Sequence, residues 1–296
     1  MDKMDKNFMK INNKIVQLSQ PYKAPVTELV GRNQEIRKIL AAWMGTNSGI
    51  YMSPLLQSPP GCGKNRIAYE VARLCSKDLY IFQGHEDVSA EDLVCAVRFS
   101  DNPERKMDYL VSPIVTAMLR GGVCFIDEIA KIRPRALAPL ASLLDDRRYI
   151  DSILLGERIY AHPGFRFTAA TNTTDLERNM LPDFISSRLR PVITVGNSPR
   201  EEIARIIRAR FPVLQNNGTA LLDHFWKSWR DKNGDKPPTP RDSIYIFGYA
   251  LNSADFRTIE GQHPYSLEKC GDSPGIQEED IEQAFSAFYD SSFGGA

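Results

Sequence analysis

The stretch Ser58-Pro59-Pro60-Gly61-Cys62-Gly63-Lys64-Asn65 restricts the fold of this chain more than any other feature of its sequence. Leu55-Leu56-Gln57 ahead of it reads as a short buried strand, and Ile67, Val71, Leu74 and Cys75 after it recur at helical spacing. A glycine-rich turn between a strand and a helix brings backbone N–H groups and a helix N-terminus to one point, where they can cradle phosphates, and the lysine adds a positive charge. Further β-rich runs at residues 79–82, 123–126, 165–171 and 191–195 alternate with helical stretches. Such alternation predicts a parallel sheet covered on both faces.

Two positions of the turn depart from the usual phosphate-loop pattern. Ser58 stands where glycine is common, which is a mild change if the backbone there suits a non-glycine residue. Asn65 matters more, because a serine or threonine hydroxyl at that place ligates Mg²⁺, a hard ion with strict octahedral geometry. An amide oxygen on a longer arm leaves three outcomes open: direct ligation, a metal-bound water, or weakened metal affinity and turnover. Taken alone, the turn is also compatible with a plain strand-to-helix connection.

Val123-Cys124-Phe125-Ile126 runs straight into Asp127-Glu128, placing two carboxylates at the C-terminal edge of a buried strand. Ligands of open α/β sheets bind at that edge. The chemistry of phosphate transfer needs one carboxylate for the metal shell, here Asp127, and a second to orient or deprotonate water, here Glu128. A strand end followed by a helix cap is the blander reading. Asn172 ends another apolar strand and could hold a water, or merely form a turn. Arg188 and Arg190 lie just before the last β-run, where position rather than residue type makes them candidates.

Lysine plus arginine and aspartate plus glutamate balance at 37 each, so no global field draws the chain to nucleic acid or an anionic membrane. Arg147-Arg148 and the pair Arg133 and Arg135 could still supply local phosphate contacts, against a reading as solvated surface. The N-terminus carries both signs of charge without a following apolar run, which argues against a signal peptide. Residues 109–126 are interrupted by Pro113, Arg120 and Gly121-Gly122, too broken for a spanning helix. The five cysteines have no C-x-x-C pair and read as reduced core thiols of a cytoplasmic protein. Cys62 occupies a variable loop position and could be sensitive to oxidation. His85, His162, His224 and His263 lack ligand spacing.

Residues 1–25 show no sustained period and read as an arm that orders only against something else. Residues 26–196 carry the nucleotide-site signals, beginning with an amphipathic helix whose apolar face is Ile36, Ile39, Leu40 and Trp43. Residues 149–160 read as a hairpin inserted before the strand at Phe165. Residues 197–296 lose the β signal and show helical patterns at 200–210, 240–251 and 277–289, with Phe225, Trp226 and Trp229 as apolar core rather than a stacking platform.

In this order the motifs resemble an AAA+ ATPase, over roughly residues 29–290: Leu29-Val30-Gly31-Arg32 at the start, the Lys64 loop, Asp127-Glu128, Asn172, Arg188, then Pro240-Arg241. Asp87-Val88-Ser89-Ala90-Glu91-Asp92-Leu93, Ser112-Pro113-Ile114 and the Gly156 hairpin look like the insertions of the MoxR branch. The resemblance implies an αβα sandwich with a parallel five-stranded sheet, followed by a small all-α lid. It implies that Gly31, Arg32, Pro60, Gly61, Cys62, Gly63, Lys64, Asn65 and Arg66 hold ATP, and that Asn65 and Asp127 hold Mg²⁺. Asp127-Glu128 is similar to Walker B, Asn172 to sensor 1, Arg241 to sensor 2 and Arg188 to the arginine finger, with Arg190 in reserve. It further implies a hexameric ring, a protein client moved by pore-facing insertions, and a partner with a von Willebrand factor A domain. Asn172-Thr173-Thr174-Asp175 also looks like the McrB type, a nucleic-acid motor using GTP.

Overall fold

The structure is a computed structural model that describes residues 7–25, 28–100, 106–178, 180–214, 218–260 and 275–290. In chain order it forms β1 (Phe8–Ile11), β2 (Lys14–Gln17), α1 (Asn33–Met44), β3 (Leu55–Ser58), α2 (Lys64–Leu74), β4 (Leu79–Gln83), β5 (Cys95–Phe99) and β6 (Met107–Val111). There follow α3 (Pro113–Arg120), β7 (Val123–Asp127), α4 (Leu140–Leu143), β8 (Tyr149–Ser152), β9 (Glu157–Tyr160), β10 (Arg166–Asn172), α5 (Thr173–Arg178), α6 (Asp183–Ser186) and β11 (Val192–Thr194). The C-terminal part holds α7 (Arg200–Arg210), α8 (Gly218–Asn233), α9 (Pro240–Phe256) and α10 (Glu278–Phe285).

Two compact units emerge. One comprises Met1–Val26, Arg32–Pro59 and Lys64–Val195, and the other Thr27–Gly31, Pro60–Gly63 and Gly196–Ala296. The first contains the expected five-stranded sheet, ordered β11-β3-β10-β7-β4 with every neighbouring pair parallel. Its central strands read as unbroken apolar runs because both faces are covered: Val123, Cys124, Phe125 and Ile126 are all fully buried. Burial also pushes the Cys124 thiol far up, so it is inert as a nucleophile. Helix α1 buries Ile36, Ile39 and Trp43 as its periodicity requires, and the Trp43 indole N–H donates to Phe167 O at 2.9 Å.

The expectation for the N-terminus needs correction. Residues 8–17 order against this chain itself, as a hairpin whose second strand pairs with β6, giving a second sheet of order β1-β2-β6-β5. Asn12 takes the left-handed conformation at the turn (φ 49°), which asparagine tolerates better than most residues. Ser112-Pro113-Ile114 also acquires a local explanation: Ser112 Oγ accepts the Val115 N–H, and Pro113 opens α3 where no N–H is needed. The hairpin β8–β9 forms as expected, with Gly156 at φ 66° in its turn and Ile153 at the tip 89% exposed. Among the described residues, no helix is long and apolar enough to cross a membrane.

The second unit is helical. Ile203, Ile207, Phe225, Trp229, Phe247, Ile281 and Phe285 form its core, so Phe225 and Trp229 are interior residues. The sequence reading missed α8, which supplies both, and ended α9 at residue 251 although it runs to Phe256. His263 and Cys270 lie outside the described residues.

Candidate functional site

Strands β3, β7, β10 and β4 deliver polar residues to one edge of the sheet because each apolar run ends at nearly the same level. Asn172 pairs in register with Ser58, and Gln83 with Asp127. The side chains that converge are Lys64 and Asn65 from the first turn of α2, Asp127 and Glu128 from the end of β7, and Asn172 from the end of β10.

Lys64 is 7% exposed, and its ammonium donates to Ser58 Oγ (3.0 Å), Ser58 O (3.3 Å), Pro59 O (3.4 Å) and Asn172 Oδ1 (2.8 Å). A buried ammonium must be hydrogen-bonded throughout, and these four partners are neutral oxygens that an anionic phosphate could outcompete. Ser58 does not require glycine's freedom: it is absent from the positive-φ residues, and its hydroxyl also donates to Pro59 O at 2.7 Å. This serine therefore closes the lysine's cradle.

Asn65 Nδ2 donates to Asp127 Oδ2 at 2.7 Å. Burial raises the Asp127 carboxyl above its ordinary range, and the neighbouring Glu128 pushes the same way, while the Asn65 hydrogen bond and Lys64 oppose it. A carboxylate raised by burial at the strand end is suited to a hard cation, and Asn65 adds one amide oxygen. Together they furnish two protein oxygens, which fits Mg²⁺ completing its shell with phosphate oxygens and water. Among the described residues there is no group of three or more histidine, cysteine, aspartate or glutamate side chains that could hold a metal alone.

Glu128 takes a left-handed backbone conformation (φ 55°) at the start of a short 3₁₀ turn, and its side chain does not cap that turn. The carboxylate instead accepts from Gln83 Nε2 (3.0 Å) and Lys131 Nζ (2.9 Å), with Asn172 Nδ2 at 3.4 Å. Asn172 also donates to Asp175 Oδ2 at 2.9 Å. Asn172 thus joins lysine and glutamate, accepting from one and donating to the other. Gln83 and Lys131 were missed by the sequence reading, and Asp175 entered it only as the end of the Asn172-Thr173-Thr174-Asp175 run. Gln83 is the polar end of a strand, and Lys131 stands three residues after Glu128, so both had a signal.

Other expected residues are placed elsewhere. Arg188 donates to Phe184 O (2.7 Å) and pairs with Asp145 (3.3 Å), which is shared with Arg147 (2.7 Å), whereas Arg190 is exposed. Arg32 pairs with Glu35 at 3.5 Å and precedes α1 in a left-handed conformation. Arg66 lies close enough to Glu70 to lower that carboxyl, though Arg73 lowers it more. Arg148 is half-buried and donates to Phe165 O, so it turns inward, while Arg133 and Arg135 are exposed.

Within the second unit, the loop tip Pro60–Gly63 meets α9. Gly61 has φ 88°, and a Cβ there would lie 2.6 Å from Thr239 Oγ1 and 3.2 Å from Arg241 Cβ. Thr239 caps α9 reciprocally with Asp242, so the surface against Gly61 is held firmly. Cys62 is buried, with Sγ 3.5 Å from Asn197 Oδ1. In the same unit, Gly31 lies against the Glu202 carboxylate.

Residues 53–189 match the family described as AAA domain (dynein-related subfamily). The chain is 34% identical over 118 residues to protein NorQ of Paracoccus denitrificans, covering 40% of this chain and 43% of NorQ. It is 33% identical over 121 residues to the denitrification regulatory protein NirQ of Stutzerimonas stutzeri (41% and 43%). Protein CbbQ of Hydrogenophilus thermoluteolus shares 29% identity over 164 residues (55% and 56%). The chain therefore spans about half the length of the curated relatives it matches. The Thermotoga maritima RuvB Holliday junction branch migration motor superposes with TM-score 0.54 at 18% identity, covering 87% of this chain and 70% of that one. NtrX of Brucella abortus in complex with ADP gives 0.52 at 14% identity (81% and 53%). At such identities these likenesses concern the fold.

Proposed function

With this chain a member of the MoxR-like AAA+ ATPases, we propose that it binds ATP with Mg²⁺ at the Lys64 loop, hydrolyses it as a hexameric ring, and uses the cycle to remodel a protein client. The observation that carries the reading is the linked set Lys64–Asn172–Glu128, with Asp127 and Asn65 beside it. In this assignment Pro60, Gly61, Cys62, Gly63 and Arg66 complete the loop around the phosphates. Lys64 exchanges its carbonyl and amide partners for phosphate oxygens. Asp127 and Asn65 hold Mg²⁺, which would neutralise charge on the transferring phosphoryl group. Glu128 orients or deprotonates the attacking water, and Asn172 positions that water while holding Glu128. Gly31, Arg32 and Arg241 are assigned to nucleotide contact or sensing by family resemblance.

Arg188 is assigned as the finger offered to the ATP of an adjacent subunit, with Arg190 as the alternative. Its ion pair with Asp145 in the single chain is then an arrangement that ring formation rearranges. The exposed tip residue Ile153 supports an insertion that engages a client, and a partner with a von Willebrand factor A domain is proposed on family grounds. The test is turnover measured against protein concentration alongside sedimentation. Phosphate release per subunit should rise with assembly by about 10³-fold or more. Equal activity in the monomer would sink the ring-dependent mechanism.

One observation favours a second reading. Asn65 presents an N–H, not an oxygen, to Asp127. If that geometry persists with nucleotide bound, the protein is a nucleotide-gated scaffold with very slow turnover. Undetectable phosphate release from an assembled, ATP-loaded ring would select it.

A further inference from the structure

The end of the sheet opposite the Lys64 loop carries two arginines that the nucleotide site does not use. Arg166 opens β10, while Asn172 ends it, about 20 Å away along the strand. Arg166 Nε donates to Trp43 O (2.9 Å), and its Nη1 donates to Pro163 O (2.9 Å) and Phe165 O (2.8 Å). Arg148 Nη2 donates to the same Phe165 carbonyl at 3.1 Å. Both guanidinium groups also lie against the Tyr51 ring, with Cζ 4.0 Å from its centroid for Arg166 and 5.2 Å for Arg148. Two cations thus share one neutral carbonyl and one ring.

Tying the Tyr51 loop to the sheet needs only one of them. The second adds like-charge repulsion: burial first, then Arg166, pushes the Arg148 guanidinium below its ordinary value. Arg148 also holds a left-handed backbone (φ 51°), which strains a residue with a Cβ. Among the described residues neither arginine pairs with a carboxylate, and Asp145, the one carboxylate lining their cleft, is engaged by Arg147 (2.7 Å) and Arg188 (3.3 Å). The cleft measures about 270 Å³, below the range of pockets that take a drug-sized ligand. A planar carboxylate is satisfied by one guanidinium fork, whereas a tetrahedral oxyanion can accept from two. We propose that Arg148 and Arg166, beside Tyr51, form a second anion site, separate from the nucleotide loop, that takes a phosphoryl group, free or as a small monoester. Its oxygens supply the negative charge that the arginine pair lacks. Of the adjacent Arg147 and Arg148, only Arg148 belongs to this site, because Arg147 is held by Asp145.

The experiment titrates inorganic phosphate against the thermal midpoint of the full chain at constant ionic strength. The rise should saturate in wild type and in Lys64→Ala, and Arg148→Asn should move half-saturation about 10-fold or more upward. Asparagine tolerates the left-handed backbone, so this variant adds no strain there. Succinate should need a higher concentration than phosphate, and O-phosphoserine beside phosphate tells an esterified group from a free one. In the wild-type chain, phosphate should also shield Arg148 from phenylglyoxal while leaving the exposed Arg190 labelled, read residue by residue by mass spectrometry. That measurement stands even if Arg148→Asn does not fold. A rise that never saturates, equal half-saturation in Arg148→Asn, saturation lost in Lys64→Ala alone, succinate binding as tightly as phosphate, or Arg148 labelling unaffected by phosphate would overturn the proposal.

Discussion

Lys64 Nζ donates to Asn172 Oδ1 at 2.8 Å, so the residue that opens α2 and the residue that ends β10 hold each other at the edge of the sheet. The two should nevertheless separate in function. Lys64→Ala removes the phosphate-binding cation and should weaken ATP binding by about 100-fold or more. Asn172→Ala should leave ATP affinity within about 3-fold and lower turnover roughly 100-fold, the scale of one lost positioning group. Calorimetry and phosphate release on both variants check this, and a matched loss of affinity in Asn172→Ala would contradict the assignment.

Asp127 makes a prediction about stability. Burial raises its carboxyl, so the folded state holds that proton more tightly than the unfolded chain does. The folded state is therefore relatively favoured at low pH, and this advantage is lost as pH rises from the ordinary carboxylate range through the raised value. Asp127→Asn should lift the thermal midpoint of the nucleotide-free protein at pH 7.5, by about 2–4 °C for each kcal/mol relieved. The same variant should lose the stabilisation that ATP with Mg²⁺ gives the wild type. A lower midpoint without ligand would refute the idea that this carboxylate strains the free protein.

The loop glycines should differ in what they tolerate. Gly61 and Gly63 both have positive φ, 88° and 93°, which costs an alanine roughly 1–2 kcal/mol at each. A Cβ at Gly61 would also meet Thr239 Oγ1 at 2.6 Å, whereas one at Gly63 has nothing within 4 Å. Gly61→Ala should lower the thermal midpoint more than Gly63→Ala, and Thr239→Ser should not rescue it because the oxygen remains. Equal shifts would show that backbone conformation alone matters.

Much of this site was legible because its signals are local. A strand that ends in Asp127-Glu128 or in Asn172 declares where the sheet stops, and the glycine pattern declares the loop. The N-terminal hairpin escaped because Phe8 to Gln17 has no clean alternation, and its pairing partner β6 lies about ninety residues away. Helix α8 escaped because Phe225, Trp226 and Trp229 were read as a cluster rather than as one face of a helix.

Arg188 and Arg190 are distinguishable by their effect on the ring. Arg188→Ala should cut turnover about 10³-fold or more while leaving ATP affinity unchanged, and Arg190→Ala should not. Rings mixed from Arg188→Ala and Lys64→Ala subunits should regain part of the activity that neither variant has alone, since some interfaces then pair an intact finger with an intact loop. The reverse ranking of the two arginines would move the finger to the exposed Arg190.

The central claim is that this edge of the sheet hydrolyses ATP with Glu128 acting on water. The most direct measurement is steady-state phosphate release by the assembled protein with ATP and Mg²⁺, beside Glu128→Gln at matched ATP occupancy. Measurable wild-type turnover that falls at least about 100-fold in Glu128→Gln, with ATP still bound, is the predicted result. Turnover unchanged by the substitution would contradict it.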